Sequence, residues 1–267
     1  MGDLVGKIAV VTGGAMGMGY GSAKVMAEQG AKVTLFDLSE TVFGASETLN
    51  ENGFETSAFK VDVRDAEEFK NACEKVVEQY GKIDILVNAA GIGVLRYFLD
   101  ATDEFRDLIL DINYKGTWNA CKAVIPHMVK RNYGKIVNYC SVTGPLVVDP
   151  GMTSYAPTKG AILAFTKALA VEFAQKNITV NAILPGMIDT PMTDKSCKEA
   201  CPEDPQSVKN AIAENIPMKR LGTIEEAGKV TAFLASDESS YVTGTSIVFD
   251  GGSTLPETPG TGWTPET

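Results

Sequence analysis

Short runs in which nearly every position is apolar and often β-branched recur along the chain, at residues 7–12, 32–36, 54–59, 83–87, 135–139, 179–184 and 246–249. Their length and composition predict strands. The weak alternation of apolar and polar positions predicts strands buried on both faces, as in a parallel sheet. Between them, apolar residues recur at helical spacing over 18–29, 40–52, 66–80, 102–131, 154–175 and 223–236. The last of these opens with Thr223-Ile-Glu-Glu226, a capping-box pattern. Strand and helix alternating with short links predict right-handed βαβ units, hence an α/β fold with a doubly wound parallel sheet.

Two stretches interrupt the alternation. Residues 186–217 carry Pro and Met around the segment Cys197-Lys-Glu-Ala-Cys201-Pro-Glu-Asp-Pro205. A long insertion beyond the C-terminal end of a strand is where such a sheet places a ligand lid. Residues 253–267, rich in Pro and Gly, read as an extended tail, either frayed or packed on another subunit. No repeat or linker divides the rest, so residues 1–253 are expected to form one domain that includes the lid, followed by a tail over 254–267.

Composition narrows the function classes. The chain has 267 residues, enough to bury a core without disulfides. Its 34 acidic against 24 basic residues leave a net charge of −10, which argues against nucleic acid or an anionic membrane as partner. Five cysteines, an odd and small number, do not suit a disulfide framework. The N-terminal residues lack a signal-peptide pattern, and no run approaches the roughly 18 apolar residues of a membrane helix. A cytoplasmic protein is expected.

The first strand runs into Thr12-Gly13-Gly14-Ala15-Met16-Gly17-Met18-Gly19 and then a helix. Glycines allow a tight turn and let backbone N–H groups approach a pyrophosphate at the helix N-terminus. The spacing is Gly-x3-Gly-x-Gly, not the commoner Gly-x-Gly-x-x-Gly. Strand two ends in Phe36-Asp37-Leu38. A carboxylate there accepts the adenosine ribose hydroxyls and repels a 2′-phosphate, so NAD(H) is expected over NADP(H). Val61-Asp62-Val63 and Asn88-Ala89-Ala90-Gly91, at the ends of the next two strands, would line the adenine and ribose side. Ser141 follows strand five, and Tyr155-Ala-Pro-Thr-Lys159 follows at the start of a long helix. Tyr and Lys at i and i+4 share a helix face. A phenol is a poor base at neutral pH, and an adjacent ammonium favours its phenolate.

Together these segments resemble the short-chain dehydrogenase/reductase family, over about residues 5–253. The glycine turn matches the family's cofactor turn. Asn88-Ala-Ala-Gly91 is similar to its Asn-Asn-Ala-Gly motif, with Ala89 in place of the second Asn. Asn113, Ser141, Tyr155 and Lys159 match its catalytic tetrad. Pro185-Gly186 matches the turn after strand six, Ile188 follows it along the cofactor, and Thr190 matches the residue that contacts the nicotinamide carboxamide. The resemblance implies a Rossmann-like sheet of order 3-2-1-4-5-6-7. It also implies a homotetramer or dimer joined through the helices near 102–131 and 154–175 and the last strand. Tyr155 would exchange a proton with the substrate oxygen, Ser141 would hold that oxygen, Lys159 would bind the nicotinamide ribose, and Asn113 would hold a water linked to Lys159. Met18 stands where Ile is usual, and Tyr139-Cys140 where smaller residues are frequent, a change expected to bear on the pocket or the local thiol.

The substrate pocket is expected from Val94, Leu95, Val142, Met152, Met187 and Met192, beside Ser141 and Tyr155. Its apolar character points to a bulky secondary alcohol or ketone, with a hydroxysteroid or bile acid as the leading expectation. A sugar alcohol, a hydroxyacid or a 3-oxoacyl thioester is the alternative, and a non-catalytic NAD-sensing protein is the remote one. His127, the single histidine, lacks catalytic partners, and Cys197 and Cys201 lack further ligands, so no metal is expected.

Overall fold

The structure, a computed structural model, describes residues 3–256. Seven strands, β1 (Ile8–Thr12), β2 (Lys32–Asp37), β3 (Thr56–Lys60), β4 (Ile85–Asn88), β5 (Gly134–Tyr139), β6 (Ile178–Pro185) and β7 (Ser246–Phe249), lie within two residues of the expected runs. They form one parallel sheet of order β3-β2-β1-β4-β5-β6-β7. The helices are α1 (Gly17–Glu28), α2 (Thr41–Glu51), α3 (Ala66–Tyr80), α4 (Asp103–Leu110), α5 (Gly116–Arg131), α6 (Ala156–Phe173), α7 (Pro191–Ala200), α8 (Pro205–Asn215) and α9 (Ile224–Ala235). The capping box at Thr223 forms, with Glu226 accepting from the Thr223 N–H at 2.9 Å.

The core is split by the sheet. Ala9 and Val11 face a cluster under α1 and α9, whereas Ile8 and Val10 face one under α3 and α5. That is the two-residue period of a strand with both faces covered. The two edge strands differ from the expectation of full burial: most of β3 and all of β7 are half-buried or exposed in the single chain. On the first face, α1 and α9 approach backbone to backbone. A Cβ on Gly228 would lie 2.5 Å from the Gly21 carbonyl, and one on Gly21 would overlap the Ile224 carbonyl. Any side chain at either position would force α1 and α9 apart.

Two expectations change. The stretch 102–131 is not one helix. It breaks at 111–115 into a wide π turn between α4 and α5, a feature often found at functional positions. The insertion 186–217, for which no element was expected, carries α7 and α8. Each starts with Pro behind a capping side chain, Thr190 accepting from Thr193 N–H and Asp204 from Ser207 N–H, the usual chemistry of a helix start. The tail beyond Pro256 lies outside the described residues. No helix among the described residues is long and apolar enough to cross a membrane.

At the far end of the sheet, Asp84 is buried yet charged. Its carboxylate accepts from Arg131 at 2.6 Å, from Lys82 at 2.8 Å and from the Ile8 N–H at 2.9 Å. Burial pushes this carboxyl up, but the hydrogen bonds from Lys82, Arg131 and Ile8 outweigh it and hold the group below its ordinary value. A depressed carboxyl stabilises the fold above its unfolded value near 3.9, and that contribution disappears as pH falls through the folded value. Asp84→Asn is therefore expected to cost about 3 kcal/mol at neutral pH. Denaturant titrations should also show a shallower loss of stability below about pH 4 than in the wild-type protein.

Candidate active site

The C-terminal ends of β1, β4, β5 and β6 converge with the N-terminus of α1. Gly13 and Gly17 both have positive φ, at 66° and 58°, which only glycine adopts without strain. A Cβ on Gly13 would lie 2.9 Å from the Ala90 backbone, and one on Gly19 would overlap the Gly13 carbonyl. The turn is thus closed on its inner side by the segment that follows β4. On its outer side it is open: nothing approaches a Cβ on Gly17 nearer than Thr190, at 3.8 Å. Met16 begins α1 without any side-chain cap. A helix start with no capping acceptor, on a glycine turn facing free space, fits a dinucleotide pyrophosphate.

Asp37 lies beside this turn. Its carboxylate accepts from Ala15 N–H at 3.1 Å and Ser39 N–H at 2.9 Å, which leaves lone pairs for further donors. Leu38 is exposed next to it. Asp62 is held by Arg64 through Nε at 2.9 Å and Nη2 at 2.5 Å, and that guanidinium keeps its carboxyl below the ordinary value. Val63 is buried against Gly116, and its carbonyl accepts from Asn119 Nδ2. The Asn88 side chain turns inward, donating to Asn138 Oδ1 at 2.8 Å, so the 88–91 segment presents backbone to the cleft.

That backbone is held by a residue the sequence reading passed over. Thr12 Oγ1 accepts from both Ala89 N–H and Ala90 N–H at 3.1 Å while almost fully buried. The Thr in front of the glycine turn was the available signal. Thr12→Val is expected to strand two buried donors and cost about 2 kcal/mol, whereas Thr12→Ser retains stability; chemical denaturation of both variants checks this.

Three of the four tetrad residues meet around two glycines. Asn113, in the π turn, accepts from Ile92 N–H at 2.9 Å and donates to Ile92 O at 3.0 Å and to Thr158 Oγ1 at 3.2 Å. A Cβ on Gly91 would lie 3.2 Å from Asn113 Oδ1 and 3.6 Å from Lys159 Nζ. Lys159 is buried, donates to the Tyr139 carbonyl at 2.9 Å and lies 5.6 Å from the centre of the Tyr155 ring. Across the cleft a Cβ on Gly93 would lie 3.4 Å from Tyr155 Cε2 and 3.6 Å from Met192 Sδ. Tyr155 begins α6, and its carbonyl accepts from Thr158 Oγ1 at 2.7 Å. Thr158 therefore ties Asn113 to the Tyr155 backbone, a link that no sequence pattern marked. Ser141, buried at the end of β5, accepts from Thr143 N–H at 3.0 Å. The loop after it folds against the start of α6, where a Cβ on Gly144 would lie 2.5 Å from the Ala156 carbonyl.

Tyr139 does not alter the pocket. Strand alternation turns its ring to the α1 and α9 face, where its hydroxyl meets Ser22 Oγ at 2.9 Å and Thr231 Oγ1 at 2.8 Å. Cys140 is buried, its Sγ 2.9 Å from the Lys159 carbonyl, and burial pushes its thiol up. Val142 is buried, whereas Leu95, Met187 and Met192 are exposed, as are Leu146 and Val148. Val94 and Met152 are half-buried. Arg96 lies over the Phe105 ring at 4.4 Å, its chain bonded through N–H to Gly151 O. Pro185 ends β6, and Gly186 N–H donates to Phe249 O at 2.9 Å. Ile188 is buried and bridges Gly222. His127 is half-buried, and burial, then Lys130, lowers its imidazole. No metal-holding group of His, Cys, Asp and Glu occurs among the described residues.

Comparison with known proteins agrees with this geometry. Residues 13–254 match the family described as Enoyl-(Acyl carrier protein) reductase. The chain is 50% identical over 257 residues to the oxidoreductase UcpA of Salmonella typhimurium strain LT2, covering 96% of this chain and 98% of the relative. It is 39% identical over 250 residues to the 3-oxoacyl-[acyl-carrier-protein] reductase FabG of Thermotoga maritima, covering 93% and 98%. Among solved structures, levodione reductase superposes with a TM-score of 0.89 at 31% identity, over 94% of this chain and 98% of that one. A seven-stranded parallel sheet, a glycine turn open to a dinucleotide and relatives of this identity lead to one conclusion: the chain belongs to the short-chain dehydrogenase/reductase family.

Proposed function

We propose that this oxidoreductase is NAD(H)-dependent and interconverts a secondary alcohol and a ketone. The observation that carries the reading is the convergence of Asn113, Lys159 and Tyr155 on Gly91 and Gly93, beside a glycine turn whose neighbouring acid is Asp37. The bound nicotinamide supplies the hydride acceptor or donor. Tyr155 takes the hydroxyl proton in oxidation and returns it in reduction. The buried Lys159 ammonium, 5.6 Å from the centre of the Tyr155 ring, would bind the nicotinamide ribose. Ser141 donates to the substrate oxygen and stabilises the charge that develops on it. Gly13, Gly17 and Gly19 would hold the pyrophosphate, Asp37 the adenosine ribose, and Thr190 the carboxamide.

The exposed apolar side chains Leu95, Leu146, Val148, Met187 and Met192, on the segments that carry and flank the site, support a bulky apolar substrate, with a hydroxysteroid or bile acid in first place. The FabG relative favours a second reading, a 3-oxoacyl thioester. Against a carrier-borne thioester, most cations of the lid region are met by carboxylates, Lys198 excepted: Lys195 by Glu199, Lys209 by Asp189 and Asp194, Lys219 by Glu214, and Arg220 by Glu226. That leaves little basic surface for an acidic carrier protein. The test follows NADH formation with NAD and pooled hydroxysteroids and bile acids, beside polyols, hydroxyacids and 3-hydroxyacyl thioesters. Turnover confined to the steroid pool supports the first reading. Turnover confined to thioesters replaces it with the second, and NADH binding without turnover on any pool would return the protein to a sensing role. Copies of the chain are proposed to associate as a homotetramer or dimer in the cytoplasm, with residues 1–253 as one domain.

A further inference from the structure

The two lid helices are held unequally. α7 buries Thr193 and Cys197, whereas α8 buries none of its residues. Helices in folded proteins depend mainly on an apolar face buried against a neighbour, and α8 covers its own only in part, with Val208, Ile212 and Ala213 half-buried. Its C-terminal end continues into buried Ile216, beside Gly251. Its middle is tied by one charged side chain. Lys209 Nζ lies 2.6 Å from Asp189 Oδ1, in the link between β6 and α7, and 2.9 Å from Asp194 Oδ1, in the first turn of α7. The lysine side chain is only 19% exposed.

Asp189 is a junction. Its N–H donates to Gly222 O at 2.8 Å, Gly222 N–H donates to Met187 O at 3.1 Å, and Thr193 Oγ1 donates to Ile188 O at 2.6 Å. Backbone bonds thus join residues 187–189 to the body of the protein, while the Asp189 carboxylate belongs to the lid. The next residue is Thr190. We propose that Lys209 is a positioning residue: by drawing Asp189 and Asp194 onto one ammonium it fixes α8 to the segment that presents Thr190, so that lid position and cofactor binding are coupled. The coupling rests on the reading of Thr190 as a nicotinamide contact. Without the ammonium, two carboxylates face each other and repel, so the same contact becomes an opening force.

Hydrogen exchange read by mass spectrometry, with and without NADH, tests this on the full chain as Lys209→Met and Lys209→Arg. Without NADH, Lys209→Met is expected to speed exchange over 205–215 at least tenfold while β1 and β4 keep wild-type rates, and Lys209→Arg to stay near wild type. NADH affinity, measured by fluorescence titration, should fall about threefold to tenfold in Lys209→Met and recover in Lys209→Arg. Unchanged exchange over 205–215 in Lys209→Met would overturn the clamp. Faster exchange with unaltered NADH affinity would overturn the coupling. If wild-type protein binds no NADH, the cofactor reading fails by itself, and the ligand-free exchange still decides whether Lys209 fixes α8.

Discussion

Tyr155→Phe is expected to lower turnover by about 10³-fold, within the usual contribution of a general acid–base group, while NADH binds with little change. The phenyl ring keeps the packing beside Gly93 and Met192 and the backbone bonds to Met152 and Thr158. Only the transferable proton is lost. Lys159 keeps its bond to the Tyr139 carbonyl, so no new buried charge is stranded. Single-turnover assays with NADH binding measured in parallel separate the two quantities. Activity within tenfold of wild type would remove Tyr155 from the chemistry.

Asp37→Ala is expected to change cofactor choice rather than turnover. In the wild-type protein the carboxylate is fixed by Ala15 N–H and Ser39 N–H, at the end of β2 and beside the cofactor turn. It therefore cannot swing away from a 2′-phosphate, and no cation is bonded to it among the described ion pairs. Its removal eliminates a charge repulsion and two ribose acceptors at once. The ratio of kcat/KM for NAD to that for NADP should fall by about 10²-fold, equivalent to about 3 kcal/mol. An unchanged ratio would leave Asp37 as a loop anchor alone.

Much of the fold could be read from local patterning because the sheet is central. β1, β4, β5 and β6 are buried at every position, so each appears as a mostly apolar run, interrupted by buried polar residues such as Lys135, Asn138 and Asn181. What escaped depends on geometry that periodicity does not record. The π turn at 111–115 contains neither Gly nor Pro, and one extra residue in a turn leaves the helical pattern almost intact. The lid helices were legible in principle: Thr190-Pro191 and Asp204-Pro205 are helix starts, which apolar periodicity alone does not mark. Thr12, Thr158 and Asn138 hold the site through contacts distant in sequence, which spacing along one segment cannot show. Motif matching grouped Asn113, Tyr155 and Lys159, which the fold brings together beside Gly91 and Gly93, and strand alternation explains why Tyr139 points away from them.

The pairing of β7 with β6 has a consequence for truncation. Gly186, after β6, bonds to Phe249, and Met218, after the lid, bonds to Gly251 in a turn tied by Asp250 to Gly252 and Thr254. The base of the lid thus rests on residues far along the chain from Asn113, Ser141, Tyr155 and Lys159. A chain cut before residue 249 would retain those four side chains and the whole glycine turn, yet it would have nothing on which to seat the lid. Activity lost in such a truncation would therefore report a missing platform rather than missing side chains at the site.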